Sequence, residues 1–344
     1  MVPLCVVGGG SIGMRHVECA RASEAVQLTA VVEAHAPRHA ELAALGLPVV
    51  ADLADIPPET RGAVIATPTQ THASVAMACL DRGLAVLVEK PLTQTLDDAR
   101  ALCAKANDLG LPLFTGHHRR CHPFVAEARS RMDQLGGLIA IQGIWCLRKH
   151  DSYYDEVWRT QPGAGPIMTN LSHEIDLLHC LAGEITEVST MNANVARGHA
   201  VEDTTAVSLR FASGAIGNFL MSEAAVSPWA FEAATSENPA IAVRGPDPLR
   251  FMGARGALGF PSLEMWGAGS GVAPDWQHEL VSSKGPSLPK VDGIASQVDR
   301  FAAIVDGATD DLLATGADGL RTMLVLDAIQ RAALSGRTEI VQTP

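Results

Sequence analysis

Aromatic side chains are scarce, 4% of the chain with only two tyrosines, and Ala, Val, Leu and Gly are abundant in their place. That aliphatic mixture suits helices packed on parallel sheets. Cysteine pairing is also missing. The seven cysteines, at 5, 19, 79, 103, 121, 146 and 180, are odd in number and contain no C-x-x-C. A zinc knuckle and a disulfide framework are thereby excluded, and the thiols read as those of a reducing compartment. Basic residues are in deficit, 26 against 38 acidic ones for a net charge of −12. A field of that sign repels phosphate backbones and anionic lipid. No apolar stretch reaches the roughly 18 residues of a membrane span. Met1 runs through Val2–Val7 straight into glycine, too short a run for a signal peptide. The expectation is a cytoplasmic protein with neither nucleic acid nor membrane as partner.

What is present is enough apolar surface for two cores. The chain has 344 residues, 47% hydrophobic and 19% charged, which exceeds one core and excludes disorder. Up to about residue 120, β-branched runs alternate with Ala- and Leu-rich stretches of helical period. Strands are expected at Leu4–Val7, Leu28–Val32, Pro48–Val50, Gly62–Ala66, Ala85–Val88 and Leu113–Thr115. Helices are expected at Ser11–Ala22, Arg38–Leu45, Thr71–Arg82 and Leu96–Leu109. Such alternation implies an α/β fold with a parallel sheet covered on both faces. After Pro123 the pattern changes to a helix (Val125–Gln134), a long strand (Leu138–Leu147), a polar aromatic loop and a helix from Ile167 to Leu181. Strand-like runs without crossover helices follow, which imply an antiparallel sheet. Helices Ile294–Val305 and Asp318–Leu334 close the chain. The expected division is a dinucleotide-binding Rossmann domain over 1–122 and a substrate and oligomerisation α+β domain over 123–344.

Gly8-Gly9-Gly10-Ser11-Ile12-Gly13 fits G-x-G-x-x-G directly between a strand and a helix. Gly8, Gly10 and Gly13, with Ser11 and Ile12 at the helix start, place bare N–H groups and a helix dipole where a pyrophosphate binds. Glu33 ends the next strand, twenty residues after Gly13, at the spacing of the acid that accepts from the adenosine ribose hydroxyls. A carboxylate there repels a 2′-phosphate, so NAD is favoured over NADP.

Gly62–Leu92 (GAVIATPTQTHASVAMACLDRGLAVLVEKPL) resembles a stretch of the glucose–fructose oxidoreductase/inositol dehydrogenase (Gfo/Idh/MocA) family. Gly8–His16, Gly116–Pro123 and Gly165–Gly183 (GPIMTNLSHEIDLLHCLAG) do so too. The resemblance implies an N-terminal Rossmann domain and a C-terminal domain with a large, open, mainly antiparallel sheet. It also implies NAD(P)-dependent oxidation of sugars, cyclitols or related alcohols, with the open sheet as the face of a homodimer or homotetramer. By the same resemblance Thr67, Pro68, His72, Glu89 and Lys90 contact the cofactor. Lys90 touches the reacting hydroxyl and His173 is the general acid/base. The family's aspartate four residues before that histidine falls on Thr169, and a glycine two residues before it on Leu171.

Alcohol oxidation removes a hydride from carbon and a proton from oxygen, and the protein must supply the base. Lys90 follows the apolar strand Val86–Val88, so it sits at the carboxyl end of the sheet, where such folds bind ligands. Thr169, Asn170, His173 and Asp176 make a polar stripe on a Leu-rich helix. Asp176 is placed to orient the His173 ring, and Asn170 to donate to a substrate oxygen. Arg120 is assigned to a substrate hydroxyl or carboxylate, with closure of a domain interface as the competing reading. Tyr154, Trp158 and Arg159 suit a sugar ring, and the last two resemble a family element lining the site; Tyr153 reads equally as packing. His117, His118 and His122 have no accompanying carboxylate, so no metal is expected. Two other functions stay open: a glycoside hydrolase that uses bound NAD transiently, and a non-catalytic dinucleotide sensor.

Overall fold

The computed structural model describes residues 1–161 and 163–344, and one position of the aromatic loop, Pro162, lies outside them. The chain divides into two units. One holds Met1–His122, Val291–Met323 and Pro344; the other holds Pro123–Lys290 and Leu324–Thr343. A single second domain over 123–344 is therefore amended, because one helix and part of another return to the first unit. The elements are β1 (Val2–Val7), α1 (Ser11–Ala22), β2 (Val26–Val32), α2 (Ala36–Ala44), β3 (Val49–Val50), β4 (Gly62–Ile65), α3 (His72–Asp81), β5 (Ala85–Val88), α4 (Leu96–Leu109) and β6 (Leu113–Thr115). After these come α5 (Pro123–Arg131), β7 (Leu138–Cys146), α6 (Ser172–Ala182), β8 (Ile185–Ala193), β9 (Thr204–Phe211), β10 (Ile216–Ser222), α7 (Phe231–Thr235) and β11 (Leu249–Gly253). The last are β12 (Gly256–Phe260), β13 (Met265–Ala268), β14 (Leu280–Ser283), α8 (Gly293–Val305), α9 (Gly316–Ser335) and β15 (Glu339–Ile340).

In the first unit six parallel strands run in the order β3-β2-β1-β4-β5-β6. The order reverses between β1 and β4, and a crevice opens past the strand ends at such a switch point. Local chemistry sets the helix ends. Thr95 caps α4 by accepting from the Asp98 N–H at 3.1 Å, and Gly110 stops it at φ +64°. Asp292 caps α8 by accepting from the Ile294 and Ala295 N–H groups at 3.0 and 3.1 Å. Helix α8 lies beside α1, and Phe301 packs edge-on against Phe114 with ring centroids 6.2 Å apart. Both phenylalanines join Leu4, Val6, Val31, Val64 and Leu87 in one buried cluster. A fully buried side chain of this size contributes about 1.5–3 kcal/mol.

The second unit carries nine strands in the order β14-β13-β12-β11-β7-β10-β9-β8-β15. Its pairs are antiparallel except β7 with β10, which run parallel in register from Ala140↔Ile216 to Cys146↔Ser222. The large, mainly antiparallel sheet expected from the sequence is present, with this one parallel seam. One sheet face is buried with α6 and the C-terminal half of α9, around Phe211, Phe219, Phe251, Ile175 and Ile329. Gly143 on β7 makes room for Phe219, since a Cβ there would lie 2.2 Å from its ring.

Candidate active site

The cofactor elements lie in the first unit. Gly8 leaves β1 at φ +103°, and a Cβ on it would meet the Ala66 carbonyl oxygen at 2.7 Å. A Cβ on Gly13 would press the Gly8 carbonyl oxygen at 1.9 Å. Both positions therefore require glycine for the turn itself. Gly10 differs: a Cβ there meets nothing within 4 Å, so its bareness leaves open space in front of the helix. Gly10 is also the N-cap of α1, with no side-chain cap and no acid in the first turn. Where α4 and α8 close their N-termini with their own side chains, α1 leaves its first N–H groups to a ligand. That end, with Ser11 and Ile12 in its first turn, fits an anionic pyrophosphate.

Glu33 lies one residue past β2. Its Oε2 accepts from the Gly9 N–H at 2.9 Å and its Oε1 from the His35 N–H at 2.8 Å. Each oxygen keeps a lone pair for a ribose hydroxyl. Arg38 donates to the Gly9 carbonyl at 2.9 Å and pairs with Glu41 at 2.9 Å. Its charge is thereby engaged beside the loop.

At the ends of β4 and β5 the side chains brace one another. Buried His72 has one ring nitrogen 2.9 Å from the Thr67 carbonyl and the other 2.9 Å from that of Pro91. It ties the Thr67-Pro68 turn to the Lys90-Pro91 segment. Glu89 is buried, with Oε1 2.7 Å from His16 Nε2 and Oε2 accepting from the Lys90 N–H at 3.1 Å. Burial pushes its carboxyl up, but the His16 hydrogen bond and the nearby His16, His118 and Lys90 charges outweigh that and hold it at about 2. Thus His72 and Glu89, expected at the dinucleotide, spend their polar atoms on holding the loops that carry Thr67 and Lys90. His16 was missed by sequence reasoning. Its signal is its place one turn into α1, three residues after Gly13.

Arg120 has a partner within the first unit. Its guanidinium is buried and pairs with Asp318 at 3.3 Å, and it lowers the Asp318 carboxyl against the upward push of burial. That pair fixes the guanidinium within the first unit. His118 and His122 pack against the start of α8, where a Cβ on Gly293 would meet His122 Nε2 at 2.9 Å and His118 at 3.1 Å. Among the described residues no group of three or more His, Cys, Asp or Glu side chains is arranged to hold a metal.

The second unit places the other candidates around the start of α6. The expected continuous α-helix from Ile167 opens instead as a π-turn, Ile167–Leu171, before α6 begins at Ser172. The wider turn changes the phase of Thr169 relative to His173, so strict i, i+4 stacking does not hold across the junction. Single π-turns of this kind are frequent at functional sites. His173 and Asp176 are both buried on α6. Thr169 Oγ1 lies 3.0 Å from the Gly165 carbonyl and 2.9 Å from Asn170 Oδ1, and Lys149 Nζ donates to the same Asn170 oxygen at 3.2 Å. Lys149 and Glu223 form an ion pair at 2.7 Å, with side chains 14% and 2% exposed. Tyr154 donates its hydroxyl to Glu223 Oε1 at 2.5 Å. Burial, then that carboxylate, push the phenol well above its ordinary range. Cations sit over both tyrosines: Lys149 and Arg159 at 4.3 and 4.2 Å from the Tyr153 ring centroid, Arg197 at 4.3 Å from that of Tyr154. Arg159 also lies 5.3 Å from the exposed Trp158 ring and donates to the Tyr153 carbonyl at 2.8 Å. Sequence reasoning missed Lys149, Glu223 and Arg197. The only local hint was Lys149 at the head of the aromatic loop.

A parallel sheet with a bare glycine turn at its switch point, joined to a unit bearing His173 beside a polar network, defines a two-unit dinucleotide-binding oxidoreductase. Residues 3–117 match the model of the oxidoreductase family with an NAD-binding Rossmann fold, and residues 125–257 match the GFO/IDH/MocA C-terminal domain. The chain belongs to the Gfo/Idh/MocA family of NAD(P)-dependent oxidoreductases that act on CH–OH groups. It is 25% identical over 346 residues to the inositol 2-dehydrogenase of Rhizobium meliloti, covering 96% of this chain and 97% of that one. It is 25% identical over 226 residues to a 4-carboxy-2-hydroxymuconate-6-semialdehyde dehydrogenase of Sphingobium sp., covering 62% of this chain and 69% of the relative. In fold it is similar to an oxidoreductase from Agrobacterium radiobacter solved with NAD+, L-tartaric acid and magnesium, at TM-score 0.78 and 16% identity over 99% of this chain and 98% of that one. It is also similar to the WlbA dehydrogenase of Bordetella pertussis solved with NADH and UDP-GlcNAcA, at TM-score 0.75 and 20% identity over 100% and 99%. Among the described residues no helix is long and apolar enough to cross a membrane.

Proposed function

We propose that the protein is an NAD-dependent dehydrogenase of a ring polyol, a sugar or cyclitol, oxidising one secondary alcohol to a ketone. The carrying observation is the N-terminus of α1, left without a side-chain cap before the open space at Gly10 while Glu33 stands at the end of β2. The relative of greatest mutual coverage given above is named for inositol, which supports the substrate class. When bound, the dinucleotide supplies the acceptor for the hydride and its electron pair. Everything else falls to the chain's own residues. His173 takes the hydroxyl proton as the carbinol C–H bond breaks, and in the reverse direction returns it. Lys90 holds the reacting oxygen by donation and polarises it. Asn170, Tyr154, Trp158 and Arg159 hold the ring.

Exposed Ile216 and Leu220 on the open sheet support a homodimer or homotetramer through that face, and seven cysteines that form no disulfide support a reducing, cytoplasmic setting. The test is a panel of sugars, cyclitols and cyclic diols with NAD and with NADP, following absorbance of the reduced cofactor. No reduced cofactor with any member would sink the reading.

A further inference from the structure

Lys149 lies three residues beyond β7 and Glu223 one residue beyond β10. Because these strands are parallel, both residues emerge at the same edge, and the Lys149 N–H donates to the Glu223 carbonyl at 2.9 Å. The ammonium is therefore anchored twice, through its backbone and through its ion pair. An ammonium has donors only. The Asn170 atom 3.2 Å from it must be the carboxamide oxygen, which turns the NH2 group away from Lys149. Thr169 cannot enforce this alone. It has one hydroxyl hydrogen and two acceptors within reach, Gly165 O and Asn170 Oδ1. Without the ammonium the amide is free to rotate by half a turn and exchange two donors for an acceptor. Asn170 sits in the π-turn, three residues before His173. Glu223 matches the charge of Lys149, so the pair adds no net charge with which to attract an anion.

We infer that Lys149, anchored by Glu223, is a positioning residue that fixes Asn170 as an N–H donor, and that the site thereby selects alcohols bearing a neutral oxygen on the carbon next to the carbinol. This rests on the dehydrogenase reading above. A vicinal hydroxyl accepts from Asn170, and an analogue lacking it leaves the amide donor unanswered.

The experiment compares Lys149→Met and Lys149→Arg with the parent enzyme. The probes are myo-inositol and D-glucose, each against its monodeoxy analogues, with NAD. One neutral hydrogen bond is expected to give the parent enzyme about a tenfold preference in kcat/KM for the vicinal diol. Lys149→Met should bring that ratio to within about twofold, through a higher KM for the diol and little change for the deoxy analogue. Lys149→Arg, again a pure donor, should restore it. A purely structural lysine would lower both substrates by the same factor, and that result, an unchanged ratio in Lys149→Met, or no rescue by arginine overturns the inference. Stranding Glu223 threatens folding, so Lys149→Met is also made with Glu223→Gln, which removes the unpaired charge and is expected to show the same collapsed ratio. Turnover by the parent enzyme with an unaffected ratio defeats the inference alone; no turnover of any probe defeats the dehydrogenase reading with it.

Discussion

Lys90 stands two residues past β5, with its backbone N–H held by Glu89. Its side chain is thus placed by a neighbour that is itself fixed, so removing the ammonium should leave the fold intact. We predict that Lys90→Ala binds NAD normally but loses roughly 10²–10⁴-fold in turnover; near-parental turnover on a verified substrate would make the lysine structural. Glu33 has two duties, since it also holds Gly9. Glu33→Ala is expected to weaken NAD much more than NADP in a fluorescence titration, because only the first loses charge-assisted ribose bonds, each worth about 1.5–3 kcal/mol. Tighter binding of NADP by the unaltered protein would contradict the assignment. Glu89, held at about 2 in the folded state against an ordinary 4.5, links stability to pH. A depressed carboxyl stabilises above its unfolded value, and the contribution drains away as pH falls from about 4.5 towards 2. Over that window chemical denaturation should show the parent losing up to roughly 3 kcal/mol more than Glu89→Gln. Parallel pH dependences would refute the linkage.

Elements explain what was legible and what was not. Strands β1 to β6 and the helices between them were readable within a residue or two. Each strand is a β-branched run, and the helices are punctuated locally, as by Gly83 at φ +76° and Gly110 at φ +64°. The glycine turn and Glu33 were readable for the same reason: their spacing is a property of one strand–turn–helix segment. Pairing partners are not local. Nothing in β7 or β10 says that they run side by side in the same direction, and an antiparallel reading sends their carboxyl ends to opposite edges. Lys149 and Glu223 therefore stayed invisible as a pair. The pairing of Arg120 with Asp318 stayed invisible likewise, because Asp318 is far along the chain. The π-turn is a one-residue change of phase that periodicity does not register. Beyond it, α6 places Asp176 one turn from His173. We predict that Asp176→Asn lowers turnover and moves the acidic limb of the pH–rate profile downward, because a protonated ring that loses a nearby anion is less stable. His173→Asn should abolish the limb and spare NAD affinity. The same limb in both variants would leave Lys90 to carry the proton alone.

At the scale of the whole molecule, the nine-stranded sheet has one face in the core and the other bearing exposed Ile216 and Leu220 of β10, half-buried Ile144 of the neighbouring β7, and exposed Trp266 of β13. Apolar side chains clustered on neighbouring strands mark an association face. We predict that the unaltered protein runs as a dimer or tetramer by light scattering and that Ile216→Asp with Leu220→Asp yields a folded monomer; an unchanged mass would locate the interface elsewhere. The return of α8 to the first unit has a different consequence, one of timing. Strands β1 to β6 are complete at Thr115, yet Phe301 and its helix emerge from the ribosome only after Pro123–Lys290, the bulk of the second unit. At ordinary synthesis rates that interval is on the order of ten to thirty seconds. Throughout it the newborn dinucleotide fold shows a bare apolar flank to the cell, and that flank is a standing invitation to chaperones for as long as the rest of the protein takes to be made.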